Sequence, residues 1–263
     1  AAAVQETWEI GSNELTHTLS GYSLISVGEK VKSCSRGSKG VGIALSRHAM
    51  RAYRDAEGQG KALFTGLGPR VMGMRMLVKN MKGHNQGIFM VSAYAPTSKH
   101  GDGAYESFLT SLEACLKCRQ TGDMVVLCGD FNASITGGLS RKGRGMQAIG
   151  EFTGSVPTSR SGDRFKQWLL DNRLCSMASF YKKKGYATWV HPGHHNTQLQ
   201  YDHIIVEQGT RQGGVVQDCG RCQQFVQSDH FPVVAKLCLK VKYKKKLPKT
   251  ARAQAASKDF GQF

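Results

Sequence analysis

Gln227-Ser228-Asp229-His230-Phe231-Pro232-Val233 runs directly into Val233-Val234-Ala235-Lys236-Leu237-Cys238-Leu239. The second segment alternates well enough to predict a strand with one covered face. A Ser-Asp-His turn at a strand start sets a carboxylate and an imidazole side by side at a sheet edge. Such a pair can hold a metal ion and contact a phosphate. Taken alone the turn reads equally well as a surface loop, so its meaning depends on the segments before it.

Those segments are mostly strands. Residues 200–206 and 187–190 read as strands joined by a loop holding His191, Pro192, Gly193, His194, His195 and Asn196. Residues 124–128 form a near-continuous apolar run, the pattern of a strand covered on both faces, and end in Gly129-Asp130-Phe131-Asn132-Ala133. Residues 88–94 are a strand stopped by Pro96, and 71–78 and 41–45 are further strands. The opening Ala1-Ala2-Ala3-Val4-Gln5-Glu6-Thr7 reads as a buried strand delivering Gln5 and Glu6 to its end. Helix spacing of apolar residues predicts helices over 105–116 and 163–174. Residues 8–39 read as an irregular surface segment, 51–60 as a polar connection and 134–162 as a long Gly-, Ser- and Arg-rich loop. Strands outnumber helices, and two helices interrupt the series, which predicts an α/β arrangement of sheets covered by helices.

The 263 residues are 40% apolar, enough for a sizeable core, and carry 36 basic against 19 acidic side chains, a net +17. That excess favours a polyanionic partner, with nucleic acid ahead of an anionic membrane surface. Lys182-Lys183-Lys184 and Arg141-Lys142-Gly143-Arg144 contribute to it, as does a Lys-rich tail over 241–263 that is expected to be disordered. No apolar run reaches the roughly 18 residues of a membrane span, and no charged n-region of a secretory signal opens the chain. The scattered cysteines suit a reducing, intracellular setting. Cys115-x-x-Cys118 and Cys219-x-x-Cys222 have zinc spacing, but the first pair falls on a predicted helix with Cys115 on its apolar face.

Several strands thus end in polar residues: Gln5-Glu6, Tyr94, Asp130-Asn132 and Asp229-His230, with Thr188 and Asp202 on neighbouring strands. In layered α/β folds such ends converge on one rim. The set suits phosphodiester hydrolysis. Glu6 and Asp229 are hard oxygen ligands of the kind magnesium takes, with few carboxylates and retained water. Asp130 can position or deprotonate a water, Asn132 and Tyr94 can donate to phosphate oxygens, and Asp202 can raise the pKa of His230.

Gln5-Glu6-Thr7, Tyr94-Ala95-Pro96, Gly129-Asp130-Phe131-Asn132-Ala133, Tyr201-Asp202-His203-Ile204-Ile205 and Ser228-Asp229-His230, in that order, resemble the motif series of the endonuclease/exonuclease/phosphatase superfamily. Thr188-Trp189, the His194-His195 loop and Tyr201-Asp202-His203-Ile204 are similar to the apurinic-type endonuclease domain of non-LTR retrotransposon polyproteins. The resemblance covers about 1–240 and implies a DNase-I-like, four-layered sandwich of two central mixed sheets flanked by helices. It implies magnesium, with manganese as a substitute, held by Glu6 with Asp229 assisting; Asp130 activating water; Asn132 and Tyr94 on the scissile phosphate; and Asp202 orienting His230. Gln5, Thr188, Ser228 and a DNA-probing loop with His194, His195 and Asn196 would meet the substrate. The implied activity is a DNA endonuclease that leaves a 3′-hydroxyl, in a monomer that belongs to a nuclear polyprotein with reverse transcriptase and has no membrane partner. A repair-type apurinic endonuclease and a non-catalytic nucleic-acid-binding remnant are the alternatives. The family pattern begins with a strand and helix ahead of Gln-Glu-Thr, and that strand carries a phosphate-proximal Asn. Here no residue takes that role, so the resemblance implies a fragment of a longer polyprotein or a decayed copy.

Overall fold

The structure, a computed structural model, describes residues 1–9, 11–17, 21–30, 37–65, 67–79, 83–136, 147–154, 158–194, 196–223 and 228–239. His195, the 141–144 basic cluster and the 241–263 tail lie outside the described residues. The strands are β1 (Ala2–Gln5), β2 (Gly11–His17), β3 (Tyr22–Lys30), β4 (Gly37–Leu45), β5 (Leu63–Phe64), β6 (Val71–Lys79), β7 (Asn85–Tyr94), β8 (Met124–Asp130), β9 (Leu174–Ser176), β10 (Trp189–Val190), β11 (Gln198–Leu199), β12 (Asp202–Glu207), β13 (Val216–Arg221) and β14 (Val233–Leu237). The α-helices are α1 (Arg47–Glu57), α2 (Asp102–Lys117), α3 (Arg160–Asp171) and α4 (Gln208–Gln212).

One sheet runs in the order β5-β6-β7-β8-β12-β9, with β7 and β8 parallel and the other neighbours antiparallel. Alternation along its strands splits their side chains between two faces. Phe89, Val91, Ala93, Val125, Leu127 and Ile205 face α2 and α3, which bury Phe108, Leu112, Phe165 and Leu169 against them. Each such side chain contributes roughly 1.5–3 kcal/mol of apolar burial. The opposite face, with Met74, Met76, Met90, Val126 and Ile204, meets a second layer. That layer is the antiparallel sheet β1-β4-β3-β2 and the β13–β14 pair. The expected α/β sandwich of two main sheets flanked by helices is present.

Two local expectations fail. The described part of 8–39 is not irregular: β2 and β3 pair in register from Gly11↔Gly28 to His17↔Tyr22, and β3 pairs with β4. Ser23 and Ser26 are buried there, so serine in a strand interior hid the period-two pattern. Residues 51–57 of the supposed polar connection belong to the helix α1, whose capping Ser46 hydroxyl accepts from the Ala49 N–H and whose Ala52, Tyr53 and Ala56 are buried. Small alanines carry its inward face, a weak signal beside the arginines of the outer one. The two cysteine pairs sit apart. Cys115 is buried among the helix-side residues, Cys219 on the opposite face of the large sheet, and among the described residues no three His, Cys, Asp or Glu side chains gather to hold a metal. Nor is any described helix long and apolar enough to cross a membrane.

Candidate active site

Sheet register sets the first row of the site. Tyr94 is the partner of Asp130 on the parallel strand, and Asp202 is its partner on the antiparallel one. All three side chains lie on the face toward the second layer, where β1 ends at Gln5-Glu6 and β14 begins just after Asp229-His230. This row needs β7 and β8 to approach closely. Gly129 allows it, since a Cβ there would stand 1.9 Å from the Ala93 carbonyl oxygen.

The polar groups form pairs. The Tyr94 hydroxyl donates to Oε1 of the exposed Glu6 at 2.5 Å. Burial and the adjacent carboxylate push the Tyr94 pKa up, so the phenol keeps its proton as a donor. Asp130 is 6% exposed and accepts from the Asn132 N–H at 2.8 Å and from the Asn132 amide at 3.3 Å. Burial first, and then the Asp202 charge opposite, raise the Asp130 pKa from 3.8 to about 7. Asn132 also donates to the Ala95 carbonyl at 2.9 Å, so its NH₂ group braces the loop and fixes Asp130. His230 Nδ1 donates to Asp202 Oδ2 at 2.9 Å. Ring burial alone would lower the His230 pKa, but the Asp202 bond and charge override it and raise the value from 6.5 to about 9. Glu6 and Asn132 both sit at positive φ, 53° and 45°. That region is costly for most side chains and collects at functional positions.

A small hairpin frames the second side. β10 and β11 pair through Trp189↔Leu199 and Val190↔Gln198, and Trp189 bridges to His230. The Trp189 indole N–H donates to Asp229 Oδ2 at 2.9 Å, holding that carboxylate by one oxygen. Buried Thr188 accepts at its hydroxyl from the Tyr201 and Asp202 N–H groups at 3.0 and 2.9 Å, which positions the Asp202 backbone. His194 and Asn196 are exposed on the hairpin turn, and the His191 ring, 5.0 Å from that of His194, accepts the His194 N–H. Exposed Ser228 accepts the His230 N–H at 3.1 Å. Gln5 turns inward, donating to Ser92 Oγ at 3.5 Å. Of the lysine run, Lys183 is engaged by Asp218 at 2.6 Å.

Two residues, Trp8 and Arg70, carried no signal in the sequence, and the part a third plays, Trp189, was not legible there. Trp8, two residues beyond Glu6, is 54% exposed and offers an open ring face. Arg70 donates to the Tyr94 carbonyl at 3.2 Å with its guanidinium 5.1 Å from the Tyr94 ring. Trp189 orients Asp229, a role that spacing alone could not give it.

The donor chemistry suits a hard divalent cation. Glu6 and Asp229 are exposed carboxylates, each fixed by a hydrogen bond to one oxygen, and magnesium needs only one or two carboxylates because it keeps several waters. Zinc, which takes nitrogen and sulfur in closed sites, finds no such set among the described residues.

No family model matches the chain. Among curated proteins it is similar to craniofacial development protein 2 of Bos taurus, 28% identical over 195 residues, and to that of Tragulus javanicus, 28% identical over 195 residues. Each match covers 68% of this chain, which spans 28% and 29% of those proteins' lengths. Among solved structures, the Xenopus laevis APE2 catalytic domain superposes with a TM-score of 0.57 at 15% identity, covering 89% of this chain and 82% of that one. An endonuclease/exonuclease/phosphatase family protein from Leptotrichia buccalis C-1013-b gives 0.52 at 16% identity, covering 84% and 74%. The chain therefore has the fold of the APE2 catalytic domain and of endonuclease/exonuclease/phosphatase proteins.

Proposed function

We propose that the protein is a magnesium-dependent phosphodiester hydrolase that nicks DNA and leaves a 3′-hydroxyl. One observation carries this reading: the Asp202–His230 pair stands beside the buried Asp130 and the Glu6–Tyr94 pair, all at one rim of the stacked sheets. Glu6 and Asp229 would hold the cation, manganese serving as a substitute, and when bound it would offset charge on the phosphate. Asp130, poised near neutrality, takes a proton from water most easily where its pKa matches the working pH. Protonated His230, fixed through Nδ1, presents Nε2–H to an oxygen that gains charge as the bond breaks. Asn132 and Thr188 keep the Asp130 and Asp202 carboxylates in place.

DNA is supported by the +17 charge and by the exposed His194 and Asn196 on the hairpin beside the site. The Thr188-Trp189, His194-His195 and Tyr201-Asp202-His203-Ile204 segments support a retrotransposon-type role, in which the 3′-hydroxyl primes reverse transcription in a nuclear polyprotein. Supercoiled plasmid tests the reading. Magnesium should convert it to nicked circles and chelator should stop the conversion, whereas binding without nicking in magnesium would leave only a nucleic-acid-binding module. An abasic oligonucleotide in parallel separates a repair-type enzyme from one that cuts intact DNA.

A further inference from the structure

β12 reaches the site from both of its faces. Asp202 points toward the second layer and holds His230. The next side chain, His203, points to the helix side, where it is buried beside Phe131 and Phe165. This imidazole has no part in the chemistry proposed above, yet both its nitrogens are engaged. Nε2 lies 3.2 Å from the Ala133 carbonyl oxygen, which can only accept, so Nε2 donates. Nδ1 then accepts from the Ser176 hydroxyl at 2.9 Å. Ser176 is itself braced. Its N–H donates to the Ala148 carbonyl at 2.9 Å, and its carbonyl accepts from the Ser179 hydroxyl at 2.6 Å. Ser179 Oγ in turn accepts the Gly150 N–H at 2.8 Å.

Ala133 closes the turn that carries Asp130 and Asn132 out of β8. Phe131 and Ala133 are fully buried, so their carbonyls are cut off from water and need donors from the protein. The Tyr105 hydroxyl supplies one to Phe131 at 3.1 Å, and His203 supplies the other to Ala133. On the rim side the Asn132 N–H donates to Asp130 Oδ1 at 2.8 Å, and the Asn132 amide donates to the Ala95 carbonyl at 2.9 Å. The turn holds Asn132 at a φ of 45°, a conformation that persists where the surroundings fix it.

We infer that His203 is a positioning residue for the phosphodiester hydrolysis proposed above, a reading on which this inference rests. Through the Ala133 carbonyl it fixes the turn that presents Asp130 and Asn132 to the phosphate. Without that donor a buried carbonyl is stranded, and rotating it toward another partner turns the neighbouring Asn132 with it. Ser176 sets the tautomer, because an Nδ1 that accepts leaves the hydrogen on Nε2. The ring stands on the helix side of the sheet, away from Glu6 and Asp229. Its loss should therefore lower turnover and leave DNA binding alone.

Three variants of the whole chain test this by steady-state nicking of supercoiled plasmid in magnesium. His203→Phe keeps a ring among the aromatic side chains and removes both hydrogen bonds. Its kcat should fall roughly 10–100-fold with KM unchanged, the cost of a small misplacement of reacting groups. His203→Gln restores a donor and an acceptor and should recover most of that loss. Ser176→Ala should lower kcat by about threefold to tenfold, the worth of one hydrogen bond, and it carries the test if His203→Phe does not fold. Amide exchange followed by NMR, in chelator, reads the turn without hydrolysis. The Asn132 N–H should exchange about tenfold faster in His203→Phe and in Ser176→Ala but not in His203→Gln, while the amides of β7 keep their protection. Wild-type kcat in His203→Phe or Ser176→Ala, a loss carried by KM, a loss that His203→Gln fails to recover, or unchanged Asn132 exchange would overturn the assignment. A wild-type protein that does not nick at all would instead sink the nuclease reading, and the exchange comparison would still decide whether His203 fixes the turn.

Discussion

His203 should take stability from the fold as pH drops from 6.5 to about 4. The ring is 1% exposed and packs against Phe131 and Phe165 at 5.9 and 5.5 Å. Nε2 lies 3.2 Å from the Ala133 carbonyl oxygen, which can only accept, so Nε2 carries the hydrogen and Nδ1 accepts from the Ser176 hydroxyl at 2.9 Å. Burial lowers its pKa from 6.5 to about 4. The folded value is the lower one, so the stability effect vanishes above pH 6.5, where both states are neutral. Below it the unfolded chain takes up a proton that the folded chain refuses, and stability falls until pH reaches about 4. A difference of about 2.5 units at about 1.36 kcal/mol each is roughly 3.4 kcal/mol. Asp130 acts oppositely, because its folded pKa of about 7 exceeds the unfolded 3.8 and it gains a proton in the folded state first. The two slopes oppose each other between pH 6.5 and 4, so the wild-type curve alone conceals both. His203→Gln keeps a donor and an acceptor and removes the titration. Urea unfolding of both proteins, followed by tryptophan fluorescence from pH 7.5 to 4, isolates the effect as a difference. The variant should be less stable at pH 7 and should close on wild type by about 3 kcal/mol as pH falls to 4. Curves that stay parallel would refute the buried neutral ring.

Other outcomes follow from single contacts. Glu6→Gln should bring nicking in magnesium down to the level seen with chelator while gel-shift affinity for DNA stays unchanged, because shape is kept and charge is lost. His230→Ala should slow single-turnover nicking by roughly 10²–10⁴-fold, with Asp202→Asn milder and the double variant little worse than His230→Ala; effects that multiply would dissolve the pair. Arg75 forms a bidentate bridge to Asp123 at 2.8 and 3.0 Å with side chains only 9% and 2% exposed. Arg75→Met should cost about 3–5 kcal/mol in urea unfolding by stranding that carboxylate, and adding Asp123→Leu should recover much of it.

Strand ends were the legible part of the site, because a polar residue that stops an apolar run marks where a strand leaves the core. Gln5-Glu6, Tyr94 and Asp130 are legible that way and His230 at a strand start, and the register then brings Tyr94, Asp130 and Asp202 into one row. The illegible part was whatever depends on partners distant in sequence. Trp189 meets Asp229 across 40 residues, and Arg75 meets Asp123 across 48. β2 and β3 escaped notice for a different reason: pairing and burial hold them together even though serine interrupts the alternation.

Asp202 and His203 show where sequence reasoning stops. They are neighbours in the chain, and a carboxylate next to an imidazole invites pairing them. A strand sends adjacent side chains to opposite faces. Asp202 therefore points into the second-layer side and meets His230, while His203 points among the aromatic rings on the helix side and meets a hydroxyl and a carbonyl. The consequence is two histidines with opposite electrostatics, one pushed up to about 9 and the other down to about 4. Only the first can serve as a cationic donor at neutral pH, and the second serves by staying neutral. Moving Asp202 one residue along β12 would place the carboxylate among Phe131 and Phe165, unpaired and buried, and would leave His230 without the group that charges it. The register of β12 against β8, rather than the presence of the Asp-His dipeptide, is what makes the pair at the rim.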